Sequence, residues 1–145
     1  MERLKFSVVI NAPKEKVWDT MLNDETYRIW TEAFHEGSYY KGDWAQGSKI
    51  LFLGPADKGK MGGMFSRIKE NRKYEYIAIE HLGEIVDGVE TPSENWAGAM
   101  ETYTFKGNNG KTELLIESDT VPEFKEMFEG LWPKALEKLK EISEK

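Results

Sequence analysis

The feature that most constrains this chain is a single apolar stripe near its C-terminal end. Between about 122 and 144, Phe124, Met127, Phe128, Leu131, Ala135, Leu139 and Ile142 fall on one side of a helix. Trp132 and Leu136 fall at the edge of that stripe. Pro122 suits the first turn of such a helix. Pro133 lies inside it and cannot donate to the carbonyl of Glu129, which predicts a kink near Gly130. A long helix with one apolar face must lie against an apolar surface of similar length. The residues before it have to supply that surface.

They do so as strands. In residues 3–10, Leu4, Phe6, Val8 and Ile10 alternate with Arg3, Lys5 and Ser7, the pattern of a half-buried strand. The run NAPKEKVWDTM (11–21) follows, where Asn11 can cap a helix, Pro13 fits its first turn, and Val17, Trp18 and Met21 recur at helical spacing. A second short helix is predicted over 24–31, with Tyr27 and Trp30 on one side. Further strands are predicted at 34–40 and 48–53, separated by the turn-rich KGDWAQG. Residues 62–70 and 73–82 read as a hairpin around Asn71-Arg72. Residues 96–106 and 111–119 read as a second hairpin around GNNG (107–110). The acidic segment 84–95 between the hairpins is expected to be a flexible loop. The order of elements is that of an α+β domain spanning 1–145, with a curved antiparallel sheet wrapped around the final helix.

Several function classes are disfavoured by composition. The formal net charge of −6 argues against nucleic acid and anionic membrane surfaces as partners. The chain has no cysteine, so disulfides, thiolate catalysis and Cys-based zinc sites are excluded. His35 and His81 are far apart, and no metal-ligand spacing is present. There is no G-x-S-x-G motif. Gly59-Lys60 lacks the Ser or Thr of a phosphate-binding loop, so the glycines of 54–64 read as a loop and the start of a strand. No metal or cofactor is expected. No apolar run approaches the ~20 residues needed to span a bilayer, and Met1–Ser7 has no signal-peptide stretch, so a cytoplasmic location is the default.

The opening strand running into NAPKEKVWDTM resembles the signature of START-like domains of the SRPBCC superfamily. More narrowly it is similar to bacterial homologues of the activator of the heat-shock chaperone ATPase. Trp30 closing the second short helix, GNNGKTELLIES (107–118) and LWPKALEKLKEI (131–142) fit the same pattern. The resemblance implies a helix-grip fold: seven antiparallel strands gripping the last helix, two short helices between strands 1 and 2, and a cavity between sheet and helix. It implies no single function, because relatives include lipid carriers, cyclases and chaperone regulators.

Strand parity names candidate pocket residues. If Lys106, Lys111, Glu113 and Glu117 are solvated, then Tyr103, Phe105, Leu114 and Ile116 point inward, and Ala99, Glu101 and Ser118 continue that face. If Arg67 and Lys69 point out, then Met64, Ser66 and Ile68 point in, with Ile77, Ile79 and His81 across from them. The sheet wall is thus assigned Met64, Ile79, Tyr103 and Ile116, and the helix wall Phe124, Met127 and Phe128. Trp30, Phe34, Trp44 and Trp96 lie near element ends, where a pocket mouth would be. Trp18 and Trp132 are read as packing residues, one under the short helices and one on the long helix.

Two ionisable residues land on the inward face. His81 beside Glu101 would form an acid–base pair or an anchor for a ligand head. The alternative is a β-bulge near Gly98 that turns Glu101 outward and leaves His81 at a wet strand end. Three functions compete accordingly. The first is a module that binds a small apolar or amphipathic molecule, with 84–95 as a gate. The second is a cyclase- or dehydratase-like enzyme using His81 and Glu101. The third is a chaperone-regulating interaction domain with a protein partner. Binding ranks first, because no catalytic motif stands in the sequence.

Overall fold

The alternation at the N-terminus produces β1 (Glu2–Ile10), which buries Leu4 and Ile10. The computed structural model describes residues 1–55 and 61–145, with only the backbone of Pro55 and Met61. The loop expected within 54–64 falls largely on 56–60 and lies outside the described residues. After β1 come α1 (Lys14–Leu22) and α2 (Asp24–Trp30), followed by a 3-10 turn at Thr31–Ala33. Asn11 does not cap α1. Pro13 stands at the cap position, and the Asn11 backbone N–H donates to Glu144 at 2.8 Å. Asn23 caps α2, its side chain accepting from the Glu25 N–H at 3.1 Å.

The remaining strands are β2 (Tyr39–Gly42), β3 (Lys49–Pro55), β4 (Met61–Arg72), β5 (Tyr76–Val86), β6 (Val89–Pro92), β7 (Met100–Asn108) and β8 (Lys111–Thr120). All pairings are antiparallel, in the order β1-β8-β7-β5-β4-β3-β2, and β6 pairs with β5 off this path. A 3-10 turn at Pro122–Phe124 leads into α3 (Lys125–Ser143). This is the helix-grip arrangement: a curved antiparallel sheet, a long C-terminal helix and short helices between the first two strands.

Four expectations change. Residues 34–38 are not strand; the chain leaves the 3-10 turn through a bend in which Gly37 takes φ 83°, and β2 begins at Tyr39. The first hairpin turns at Lys73–Glu75 rather than at Asn71-Arg72, with Tyr74 at φ 68°. Residues 94–98 form turns, so the strand predicted from 96 begins at Met100. The segment 84–95 is not an open loop. Asp87 and Gly88 take φ of 54° and 79°, a tight primed turn that folds β6 back on β5. Asn109 and Gly110 make the same kind of turn between β7 and β8, with φ of 54° and 79°.

Helix α3 continues unbroken through Pro133. Its buried stripe is Trp132, Ala135, Leu136, Leu139 and Ser143. Trp132 and Leu136 therefore sit in the stripe and not at its edge, while Met127 is 47% exposed. The packed core joins this stripe to Ile10, Val17 and Met21, and to Ile68, Ile77, Ile79, Leu114 and Ile116 of the sheet. Trp18 packs on Phe105 of β7, ring centroids 5.1 Å apart, and the Trp30 indole N–H donates to the Met21 carbonyl at 3.0 Å.

Candidate functional site

Sheet and helix do not close on each other everywhere. Between them lies a cavity of about 770 Å³, within the range of small-molecule sites. α2 and the segment after it contribute Tyr27, Trp30, Thr31, Phe34, His35 and Ser38. The sheet contributes Phe52, Leu53, Gly54, Gly62, Gly63, Met64, His81, Glu101, Tyr103, Ser118 and Asp119. Trp96 comes from the turn before β7, and Phe124, Phe128 and Trp132 from the start of the C-terminal helix segment. Nine of these residues are Phe, Tyr or Trp, so the wall is built mainly of ring faces and edges.

The rings brace one another. Phe34 meets Trp132 edge-on at 4.8 Å, and Trp30 lies 6.2 Å from Trp132. Trp96 stacks on Phe124 at 6.1 Å, and Phe124 is 37% exposed, so this pair forms part of the rim. Gly63 lets β4 approach β3 at the cavity wall. Its φ is 143°, and a Cβ there would fall 1.8 Å from the Phe52 carbonyl oxygen.

A row of hydrogen-bonded polar side chains crosses this greasy surface. Ser66 of β4 stands opposite His81 of β5, with Ser66 Oγ 2.7 Å from His81 Nδ1. His81 Nε2 lies 3.3 Å from Glu101 Oε1, and the Tyr103 hydroxyl donates to Glu101 Oε2. One consistent set of donors has the Ser66 hydroxyl donating to Nδ1 and Nε2–H donating to Glu101. Burial pushes the Tyr103 hydroxyl well above the usual phenol range, and the nearby Glu101 charge adds to the shift. Tyr27 is raised for the same two reasons, with a further contribution from Tyr40. Both phenols therefore keep their protons and serve as neutral groups.

The same row decides between the two placements considered for Glu101. A register shift does occur in β5, but it lies between Phe65↔Gly83 and Ser66↔His81 and makes Leu82 the extra residue. The Gly98 N–H does meet this point, donating to the His81 carbonyl at 3.0 Å, but the extra residue is in β5 and not in β7, the strand that carries Glu101. Glu101 keeps inward parity, paired with Ile79 on one side and Ser118 on the other. The connectivity Ser66–His81–Glu101 is reminiscent of a hydrolytic triad, but Ser66 is fully buried and does not line the cavity. His81 and Glu101 both line the open space.

Asp119 differs from Glu101. Burial alone would raise its carboxyl, but Arg3 at 2.9 Å and the Met100 N–H at 2.9 Å outweigh burial and hold it below the ordinary carboxylate range.

Of the sequence candidates, Trp30, Phe34, Met64, His81, Trp96, Glu101, Tyr103, Phe124 and Phe128 line the cavity. Ile79 and Ile116 do not. Both are fully covered within the packed core and offer it no surface. Met127 does not either, because the side of the helix facing the cavity carries Phe124, Phe128 and Trp132 at four-residue steps. Trp44 packs instead against Tyr40 and Phe52. Trp132, read as packing, does both: it is 3% exposed and lines the cavity. Tyr27 and Phe52 were not singled out from sequence. The three-residue spacing of Tyr27 and Trp30 pointed to one shared helix side, and Phe52 carried no signal beyond strand alternation. Among the described residues, no group of three or more His, Asp or Glu is placed to hold a metal ion, and no helix is long and apolar enough to cross a membrane.

Solved structures resembling this chain share its fold over nearly the whole length. The Aha1 dimer from Colwellia psychrerythraea is 16% identical with a TM-score of 0.74, covering 99% of this chain and 97% of that one. A protein from Cytophaga hutchinsonii is 26% identical with a TM-score of 0.74, covering 98% and 93%. A protein from Chromobacterium violaceum is 20% identical with a TM-score of 0.71, covering 100% and 99%. A comparison with curated proteins finds no match. Residues 11–144 match the family described as "Activator of Hsp90 ATPase homolog 1-like protein". With 11–144 of its 145 residues matched and the same helix-grip architecture, the chain belongs to the family of Activator of Hsp90 ATPase homolog 1-like proteins.

Proposed function

We propose that this protein binds a small apolar or amphipathic molecule in the cavity between the sheet and α3. The observation that carries this reading is the cavity itself: about 770 Å³ of space walled by nine aromatic residues. Well-packed interiors leave few voids larger than a water molecule, so space on this scale needs a reason. The family commonly binds hydrophobic ligands, which agrees with such a reason. Trp30, Trp96 and Trp132 sit in the wall and report on occupancy by their fluorescence. A ligand screen is expected to shift that emission, and Ser118→Trp, which fills the cavity from β8, is expected to abolish the response. A response that survives Ser118→Trp would place binding elsewhere.

A second reading follows from the convergence of His81 and Glu101. Glu101 reaches the cavity and is backed by His81 and Tyr103, so it is placed to accept a proton from a bound substrate, as a cyclase- or dehydratase-like enzyme requires. Hydrogen–deuterium exchange at the acidic carbon of an aromatic ketone, lost in Glu101→Gln, is the expected sign. Exchange no faster than in buffer would remove this reading and leave the first intact.

A further inference from the structure

The cavity does not treat the two signs of charge alike. Its described lining residues include two carboxylates, Glu101 and Asp119, and no Lys or Arg. Asp119 is already engaged, with Arg3 at 2.9 Å and the Met100 N–H at 2.9 Å. Glu101 is not satisfied in this way. Among the described residues its side-chain partners are His81 at Oε1 and the Tyr103 hydroxyl at Oε2, one on each oxygen. A carboxylate has about four acceptor directions, so about half of its capacity is left over. That capacity faces a cavity wall of aromatic rings, whose π-faces are themselves electron-rich and attract cations.

Acceptors and π-faces together favour a hydrogen-bond donor that carries positive charge. A carboxylate ligand would meet Glu101 with like charge and no described Lys or Arg to offset it. We propose that the cavity selects its ligand by charge, taking a small apolar compound that ends in a protonated amine and setting the ammonium against Glu101. This inference rests on the pocket reading above and narrows it to one chemical class.

The test uses three probes of one shape: 4-phenylbutylamine, 4-phenylbutanol and 4-phenylbutyric acid. Binding is followed at pH 7 by emission of the cavity tryptophans. The amine is expected to bind about tenfold or more tighter than the acid, the gain of one charge-assisted hydrogen bond, with the alcohol between them. In Glu101→Gln the amine should lose that advantage while the alcohol binds as before. The wild-type ratio of amine to acid is decisive without any variant. An acid that binds as tightly as the amine overturns charge selection and leaves the pocket reading standing. Binding of none of the three overturns both. Equal loss of all three in Glu101→Gln would make Glu101 a structural group and overturn the inference.

Discussion

The two halves of α3 meet the sheet in different ways. Beyond Pro133 the helix presents Ala135, Leu136, Leu139 and Ser143, each 3% exposed or less, and none of them lines the 770 Å³ cavity. Before Pro133, together with the 3-10 turn that leads in, it presents Phe124, Phe128 and Trp132, and all three line it. Branched aliphatic side chains interdigitate to crystal-like density. Flat rings that meet edge-on hold their neighbours 5–6 Å away and leave gaps between them. The pairs Phe34–Trp132 and Tyr103–Trp132, at 4.8 and 6.3 Å, show this bracing. One half of a single helix closes the fold and the other half keeps it open.

The sharpest way to break that comparison is to truncate a side chain on each side. Leu139→Ala should cost about 2–5 kcal/mol in denaturant unfolding, because Leu139 is fully covered and its loss leaves a void. It should leave the affinity for cavity ligands nearly unchanged. Phe34→Ala should cost less, roughly 1–2 kcal/mol, since the space it vacates joins a cavity that already exists. Its larger effect should be on binding, about tenfold weaker through the lost ring contact. If Phe34→Ala proved as destabilising as Leu139→Ala, the two halves would not differ as described.

The smallest effect concerns the ion pair of β1 with β8. Asp119 has a lowered native carboxyl, so its stabilising contribution is present above the ordinary carboxylate range and is lost as pH falls through the native value. Arg3 is half exposed, which limits the effect to below about 1 kcal/mol. The stability gap between wild type and Asp119→Asn should be larger at pH 7 than at pH 3. A gap that does not change with pH would show that the pairing does not contribute.

Local pattern carried most of the fold. The parity of β7 and β8 is legible because Asn109-Gly110 sets a two-residue turn and Lys106, Lys111 and Glu113 mark the solvent side. The inward position of Glu101 and His81 follows from the same alternation. β6 was legible too, since Val86-Asp87-Gly88-Val89 is a hairpin signal, but the surrounding acidic residues read as a loop. What the pattern could not show is depth. Ile79 and Glu101 are neighbours on one face, yet one is fully covered and the other reaches the cavity. That difference depends on which side chains of α2 and α3 arrive above them, and these come from distant parts of the chain. The position of Trp132 within the stripe depends on the same meeting.

Pro133 marks the boundary between the two halves of α3, and it has no amide proton to give to the Glu129 carbonyl. The helix therefore lacks one rung of its ladder at the point where its surroundings change from filled to open. Breaking the first turns at such a point costs one hydrogen bond fewer than elsewhere, and the turns beyond it are held by the core. Backbone amides from Lys125 to Trp132 should accordingly exchange with deuterated solvent as a faster set than those from Lys134 to Ser143, and an occupant of the cavity should slow the first set alone. The wall of the pocket can then rearrange around a guest without drawing on the part of the helix that holds the domain together.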